Sequence, residues 1–464
     1  MRVALIRSRD KVNINTRLPE SLNMVRGELP PLGLAYIASV LENAGHQVRI
    51  FDISAANLTQ DEFRKQLFEF SPALAGITVM TPTLFGALES ARIAKEVGAV
   101  TVLGGPQLSI YPEETVAYAQ VDYGIHGEGE YAMLALVDVL EKRVQPDTVG
   151  GLIYKYNGKV FINAPAIVQD LDTLPFPAYH LLPMTKYNSI IGDYPTSTMI
   201  SSRGCPYQCH FCFKQPSDEK IRLRSAKKVV EEMKYLVENF KVKEIMFYDD
   251  VLTFSRQHVF EICQEILSSG LKIKWESPAR VDNADKELLE LMYKAGCVRL
   301  RYGVESADER ILELMNKRIN LSQVETTFKL TKKIGMETFA YFMVGYAHET
   351  IDTIKKTISF ARKLNPDWAM FTIATPYPGT PLYKLALQEG VLKNDYWREF
   401  TLGTQKDKRI PYFIADAPFW VKKAYLRFYF RLGFIIKRAS RIRCLQDWQK
   451  CWQGIQGILS MGKD

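Results

Sequence analysis

With 464 residues, 47% of them hydrophobic, the chain has the length for two or three domains and the apolar content of a globular protein. No run of about 18 uncharged apolar residues occurs, so no membrane span is expected, and the charged start MRVALIRSRDKV lacks the apolar region and cleavage site of a secretion signal. Seven unevenly placed cysteines argue against a disulfide framework, which makes a reducing cytoplasm the expected compartment.

Residues 1 to about 145 alternate apolar runs with amphipathic stretches. RVALI, VRIFDI, LAGITVM, VTVLGG and VDYGIHG are expected as buried strands, with helices such as GLAYIASVLENAG, QDEFRKQLFEF and EYAMLALVDVLEKR between and after them. This alternation predicts a parallel sheet covered on both faces: an α/β, Rossmann-like, doubly wound domain with its ligand beyond the carboxyl ends of the strands. Glycines gather there, Gly104 and Gly105 in VLGGPQL and Gly127 and Gly129 in IHGEGEYAML. Glycine lets a bulky ligand approach the backbone, and it equally serves plain strand–helix turns.

GLIYKYNGKVFIN, residues 151–163, predicts a hairpin around Asn-Gly. The proline-rich LDTLPFPAYHLLP follows, so 146–195 is expected to be hairpin and linker. From 196 to 385 the alternation resumes with TSTMIS, EIMFYD, KIKWESP, VRLRYGVES, ETFAYFMVGY and WAMFTIATPY as strands. Six units are too few for a closed eightfold barrel, so a partial TIM-type barrel is expected, with its chemistry at the C-terminal strand ends, and a second open sheet is the alternative that periodicity leaves open. Residues 386–464 are expected to form a helical C-terminal region. Residues 421–464 carry ten Lys or Arg against two Asp, the whole net charge of +8, which implies an anionic partner for the tail and not for the body. Its stretch FWVKKAYLRFYFRLGFIIKRASRIR is expected to pack across the barrel mouth, and the competing use is contact with an anionic membrane surface. Cys444 and Cys451 read as buried free thiols.

The stretch SSRGCPYQCHFCFKQ, residues 201–215, follows the first barrel strand and holds Cys205, Cys209 and Cys212. Thiolates ligate iron–sulfur clusters. Three of them leave one iron of a cubane without a protein ligand, and an open coordination site is generally catalytic. Structural zinc completed by His210 or a distant cysteine is the alternative, but zinc ligands usually come as paired units and no second pair exists.

The pattern C-x3-C-x-aromatic-C, with Phe211 as the aromatic, resembles the radical S-adenosylmethionine superfamily. The resemblance implies a [4Fe–4S] cluster on the three cysteines. It also implies S-adenosylmethionine bound to the open iron through its amino and carboxylate groups, and cleaved on reduction to a 5′-deoxyadenosyl radical. Asp249 and Asp250 in EIMFYDDVLT then fall where the family meets the methionine end of the cofactor. Arg280 in WESPARVD and Glu305 in RYGVES resemble its carboxylate or ribose contacts. Plain structural roles compete: Arg280 with Glu305 as a buried ion pair, and Asp249 or Asp250 as a helix cap. FMVGYAHET resembles the family's adenine segment, with Ala347 and His348 where Pro and Gly are usual.

PPLGLAYIASVLENAGHQVRIFD, GITVMTP, LGGPQ and VDYGIHGEGE resemble the cobalamin-binding domain of cobalamin-dependent radical S-adenosylmethionine proteins. Together the two resemblances cover residues 1 to about 385 in the family's order. They imply cobalamin as a further cofactor, with Thr81, Thr83, Gly104, Gly105 and Gly127 as candidate contacts; an empty, vestigial domain is the alternative. The D-x-H-x-x-G motif is absent, His46 and His126 have no such context, and Gln107 stands where relatives often carry histidine. Cobalamin is therefore expected without a protein histidine on cobalt. The implied activity is radical methylation of an unactivated carbon in a small-molecule, lipid- or tetrapyrrole-type substrate. An external donor such as flavodoxin or ferredoxin would supply electrons, and no nucleic-acid partner is expected. The competing readings are rearrangement, oxidation or cyclisation of the magnesium-protoporphyrin ester cyclase type, and a non-enzymatic cobalamin- or metal-binding module.

Overall fold

The computed structural model describes residues 1–9, 28–189, 191–218, 220–405, 409–439 and 445–460. The first apolar runs form five parallel strands, β1 (Arg2–Arg7), β2 (Gln47–Asp52), β3 (Leu74–Thr78), β4 (Val100–Gly104) and β5 (Tyr123–Ile125), in the spatial order 2-1-3-4-5. Period-two alternation sends Val3 and Leu5 into one core with the helices Leu32–Asn43 and Glu130–Leu140. Ala4 and Ile6 enter the opposite core with Gln60–Phe70 and Leu84–Glu96. The sheet is thus covered on both faces, which is why its strands are nearly uninterrupted apolar runs.

The hairpin placed with the linker by its sequence is bonded into this sheet. β6 (Leu152–Tyr156) pairs antiparallel with β5, and β7 (Lys159–Ile162) with β6. The turn is at Asn157 and Gly158, both at positive φ, as a two-residue hairpin turn requires. Pairing supplies hydrogen-bond partners to what would otherwise be an open edge of β5.

The second half begins with β8 (Thr196–Met199). A short ribbon, β9 (Ser202–Arg203) and β10 (Arg222–Leu223), brackets the cysteine loop. The strands β11 (Glu244–Phe247), β12 (Lys274–Ala279), β13 (Cys297–Glu305), β14 (Glu337–Val344) and β15 (Trp368–Ile373) continue from β8 side by side in sequence order, all parallel. This is the expected partial barrel. The intervening helices carry local start signals: Ser225 caps Ala226–Phe240 by accepting from the Lys228 N–H, and that helix buries Val229, Val230, Met233 and Leu236. On β13, Leu300, Tyr302 and Val304 join the apolar core. The alternate residue Arg299 instead pairs with Glu244 at 3.1 Å, Glu276 at 2.5 Å and Glu337 at 3.0 Å.

β15 is an outer strand of this sheet, and the helix Ala417–Tyr429 closes it. The Phe371 N–H donates to Tyr425 Oη at 3.2 Å. The Ala369 N–H donates to Tyr429 Oη at 3.0 Å, which donates back to the Ala369 carbonyl at 2.7 Å. Two tyrosine hydroxyls thereby satisfy backbone groups that an open edge would expose. Ala417 stands against Gly345 at the mouth, so the tail begins where it was expected and then runs down the edge. In the next helix, Leu432–Ala439, the side chains of Leu432, Ile435 and Ile436 are exposed. Cys444 and the side chain of Cys451 lie outside the described residues. Among the described residues no helix is long and apolar enough to cross a membrane.

Candidate active site

The cysteine loop leaves β9 through Gly204, at φ +96°, where a Cβ would come within 2.6 Å of the Lys220 carbonyl. Its shape is set by backbone contacts. Cys205 N–H donates to the Asp218 carbonyl at 3.0 Å, Cys212 N–H to the Cys209 carbonyl at 3.1 Å, and Lys214 Nζ to the Cys205 carbonyl. Burial pushes the Cys205 thiol up. Cys212 is exposed at its surface, yet crowding of its thiol by protein, followed by the charges of Cys209 and Asp250, pushes it up to about 11. The Cys205 and Cys212 thiols therefore hold their protons until a cation replaces them, so metal uptake here releases protons. His210, the alternative zinc ligand, is turned away: its Nδ1 lies 2.8 Å from the Leu314 carbonyl, and its backbone bonds Met315 and Leu382. Among the described residues no three His, Cys, Asp or Glu side chains are arranged around a single ion. An all-thiol set of three, with histidine elsewhere, fits a cubane cluster in which each thiolate takes its own iron.

The other candidates divide by what already occupies them. Asp249 is buried and accepts from Ser201 N–H at 3.1 Å and Ser201 Oγ at 2.8 Å, and from Ser202 Oγ. It ties β11 to the start of the loop, and burial pushes its carboxyl up. Asp250 faces the loop. Desolvation and Asp218 raise its carboxyl, while Lys214 and the Gly204 N–H lower it. Arg280 grips Asp282 with Nε and a terminal nitrogen at 2.9 and 3.0 Å, and donates to the Lys317 carbonyl at 2.9 Å. Its guanidinium stacks 3.7 Å from the ring centroid of Tyr207, inside the cysteine loop. Glu305 pairs with Lys317 at 2.9 Å, so in place of the competing Arg280–Glu305 ion pair there are two separate pairs joined at Lys317. Glu305 sits at φ +66° beside a register shift in β13. A Cβ on Gly303 would run into Glu305 Oε1 and come within 2.6 Å of Lys317 Nζ. Phe211 packs beside Ile311, Met315, Tyr346 and Leu382, 5.8 Å from Lys317 Nζ. In the segment with the Ala347 and His348 departure, His348 pairs with Glu389 at 2.9 Å, and Glu349 accepts from the Gly345 and Tyr346 N–H groups at 2.7 and 3.0 Å.

A cavity of about 450 Å³ opens at the carboxyl ends of β3, β4 and β5. Gly104, Gly105 and Gly127 line it together with Gly33 and Gly129, and Leu5, Val102, Ile125 and Met133 give it apolar walls. The glycines differ in cause. A Cβ on Gly105, at φ +124°, would lie 2.6 Å from the Val79 carbonyl, and one on Gly127 would lie 2.9 Å from Pro165. Those two answer to the chain's own turns. A Cβ on Gly104 would meet only the Ile125 carbonyl at 3.7 Å, and one on Gly33 nothing within 4 Å. Their bare backbone faces open space, a cradle that fits a large flat ligand such as a corrin. Thr81 and Thr83 are buried outside this lining; Thr83 Oγ1 bonds both backbone groups of Met80. Gln107 is turned to Thr115 and Thr401, and His46 and His126 are bonded to the N-terminus and to the Asn163 carbonyl.

The opposite wall of the cavity belongs to the second half of the chain: Ile200, Arg203, Gln215, Ser217, Asp218 and Tyr248. Of these, Arg203 was missed from sequence, as were Lys317 and Tyr207. The only local signal was their nearness to cysteines or to a strand end.

Residues 199–361 match the family model for the radical SAM superfamily, and residues 22–137 that for the B12 binding domain. The chain is 36% identical over 428 residues to an uncharacterised methyltransferase of Pyrococcus horikoshii, covering 89% of this chain and 93% of that protein. It is 33% identical over 371 residues to the anaerobic magnesium-protoporphyrin IX monomethyl ester cyclase of Rubrivivax gelatinosus, covering 78% and 67%. In fold it is similar to the cobalamin-dependent S-adenosylmethionine radical enzyme OxsB, solved with aqua-cobalamin and S-adenosylmethionine bound. That match has a TM-score of 0.72 at 18% identity and covers 99% of this chain and 72% of that one. A [4Fe–4S] cluster, S-adenosylmethionine and cobalamin are accordingly its cofactors. With residues flanking a three-thiol loop lining a glycine-walled cavity, and a relative matched along nearly its whole length, the chain belongs to the cobalamin-dependent radical S-adenosylmethionine enzymes.

Proposed function

We propose that this enzyme transfers a methyl group to an unactivated carbon of a small-molecule substrate of lipid or tetrapyrrole type. The observation that carries the reading is the shared cavity, whose two walls are the glycine turns of the cobalamin domain and the residues flanking the cysteine loop. When bound, the cofactors supply a radical that takes a hydrogen atom and a methyl group that replaces it. The chain's own residues bind and orient. Cys205, Cys209 and Cys212 hold the cluster; Arg280, through Tyr207, and the Lys317–Glu305 pair, beside Phe211, hold the loop. Gly104 and Gly33 present bare backbone to cobalamin, Gly105 and Gly127 shape the turns beside it, and the apolar floor excludes water from the reacting centre.

Likeness to the cyclases favours a second reading, radical cyclisation without methyl transfer. One assay separates the two. Protein reconstituted anaerobically and reduced by flavodoxin or ferredoxin should form 5′-deoxyadenosine and S-adenosylhomocysteine together. The first nucleoside alone favours cyclisation, and neither product overturns both readings.

The exposed Leu432, Ile435 and Ile436, within a segment rich in Lys and Arg, extend the proposal to contact with an anionic membrane surface. A chain ending at Phe430 keeps the helix that covers β15. Equal sedimentation of that chain and the full chain with anionic vesicles would remove the extension.

A further inference from the structure

Four charges join the two walls of the cavity. The cysteine loop departs from β9 and returns into β10, and these strands pair with Arg203 opposite Arg222. Both guanidiniums therefore stand at the root of the loop. Arg203 reaches Glu128 at 2.9 Å and Glu130 at 2.5 Å, and Arg222 reaches Glu128 at 2.8 Å. The two glutamates flank Gly129 in the turn after β5. Arg203 also lies over the Tyr36 ring at 5.4 Å, and Arg222 donates to the Val168 carbonyl at 2.6 Å. All four side chains are at most 16% exposed.

The charges cancel, and burying them carries a desolvation cost that an apolar contact would not. What they add is direction: a planar guanidinium forked onto carboxylates fixes distance and angle together. Glu128, Glu130 and Arg203 all line the cavity. Glu130 Oε2 is buried with no hydrogen-bond partner, so the cluster of charges is one donor short.

We propose that this clasp sets the register between the two cofactors, with Arg203 as the positioning residue. It holds the root of the cysteine loop against the Gly127–Glu130 turn, so that the open iron and the cobalamin face keep one separation and orientation. Arg203 is two residues from Cys205 and bridges both carboxylates, so displacing it moves the loop relative to the turn. Glu130 Oε2 accepts an N–H from the ligand in the cavity; the amide groups around a corrin rim are donors of that kind. The inference rests on the cofactor assignment and not on whether the reaction is methylation or cyclisation.

The test uses full-length protein carrying the reduced cluster and cob(II)alamin, both paramagnetic, so that the coupling between their spins reports their separation. The wild-type spectrum, recorded first, tests the presence of both cofactors separately from the clasp. Arg203→Lys keeps the charge and loses the fork; it should spread the single wild-type coupling into a broad distribution at unchanged iron and cobalt content. Glu130→Gln should weaken cob(II)alamin binding about tenfold. Wild-type coupling in Arg203→Lys together with wild-type affinity in Glu130→Gln would overturn the proposal. So would loss of both cofactors in step with thermal unfolding, which would make the clasp a stability element alone.

Discussion

Replacing Arg280 by lysine separates two roles for that residue. By sequence it falls against S-adenosylmethionine; in the structure its Nε and one terminal nitrogen are engaged with Asp282 and the Lys317 carbonyl, and its plane is stacked 3.7 Å from Tyr207. Lysine keeps the charge and one contact but loses the fork and the stack. A hydrogen bond to a charged group contributes about 1.5–3 kcal/mol and a desolvated cation–π contact about 2 kcal/mol. After partial recovery by the ammonium group, about 2–3 kcal/mol is lost, roughly a 30- to 150-fold fall in the ratio of ordered to open loop. The assay is iron and sulfide content after anaerobic reconstitution without S-adenosylmethionine, with Asp282→Asn as a second route to the same slackening. Both variants should retain less than half of the wild-type iron. Full iron in both, with weakened S-adenosylmethionine binding in Arg280→Lys, would refute the reasoning and return Arg280 to direct cofactor contact.

Burial pushes the Glu349 carboxyl up to about 7, and its Oε1 is buried without a partner. Because the folded value lies above the unfolded one, its stabilising contribution is complete below the ordinary carboxyl value of 4.5 and is lost as pH rises through about 7. Glu349→Gln should flatten the dependence of melting temperature on pH across that window; an unchanged slope would count against the assignment. A Cβ on Gly104 meets no protein clash, so the Gly104→Ala apoprotein should melt as wild type while cobalamin binding falls at least tenfold in a spectroscopic titration. Gly105→Ala, forced into φ +124° against the Val79 carbonyl, should instead destabilise the apoprotein by about 1–3 kcal/mol. Identical behaviour of the two would contradict their separate causes. Tyr425→Phe leaves the buried Phe371 N–H without its acceptor, at about 1–3 kcal/mol. Faster amide exchange in β15 is the expected signature, and unchanged exchange there would refute the edge-closing role.

The strand–helix alternation was legible because a strand buried on both faces must be a continuous apolar run, as in β3 and β11, where nearly every residue is buried. The cysteine spacing was legible because it is local. Long-range partnerships were not. Nothing in RYGVES states that Glu305 takes a left-handed backbone or that its partner is Lys317, since the pair depends on a register shift and on the missing Cβ of Gly303. Asp249 reads the same in sequence whether it faces a ligand or, as it does, the serines that end the neighbouring strand. Gly104 and Gly105 are adjacent letters with different causes, one answering to open space and the other to a carbonyl. Thr81 and Thr83 sit in a turn beside the cavity wall without joining it.

These hidden partnerships converge on one segment. Residues 204–215 have almost no regular structure, so their position has to come from their anchors. From the barrel side the anchors are Arg280 on Tyr207 and the Lys317–Glu305 pair beside Phe211. From the cobalamin side they are Arg203 and Arg222 on Glu128 and Glu130. Buried ion pairs are a poor way to gain stability and a good way to hold one geometry. A radical enzyme must keep a reactive centre from its neighbour until substrate lies between them. With the loop anchored on both sides, the function proposed above leaves the open part of the shared cavity for the substrate, so that the shape of that gap would select which carbon stands between the two centres.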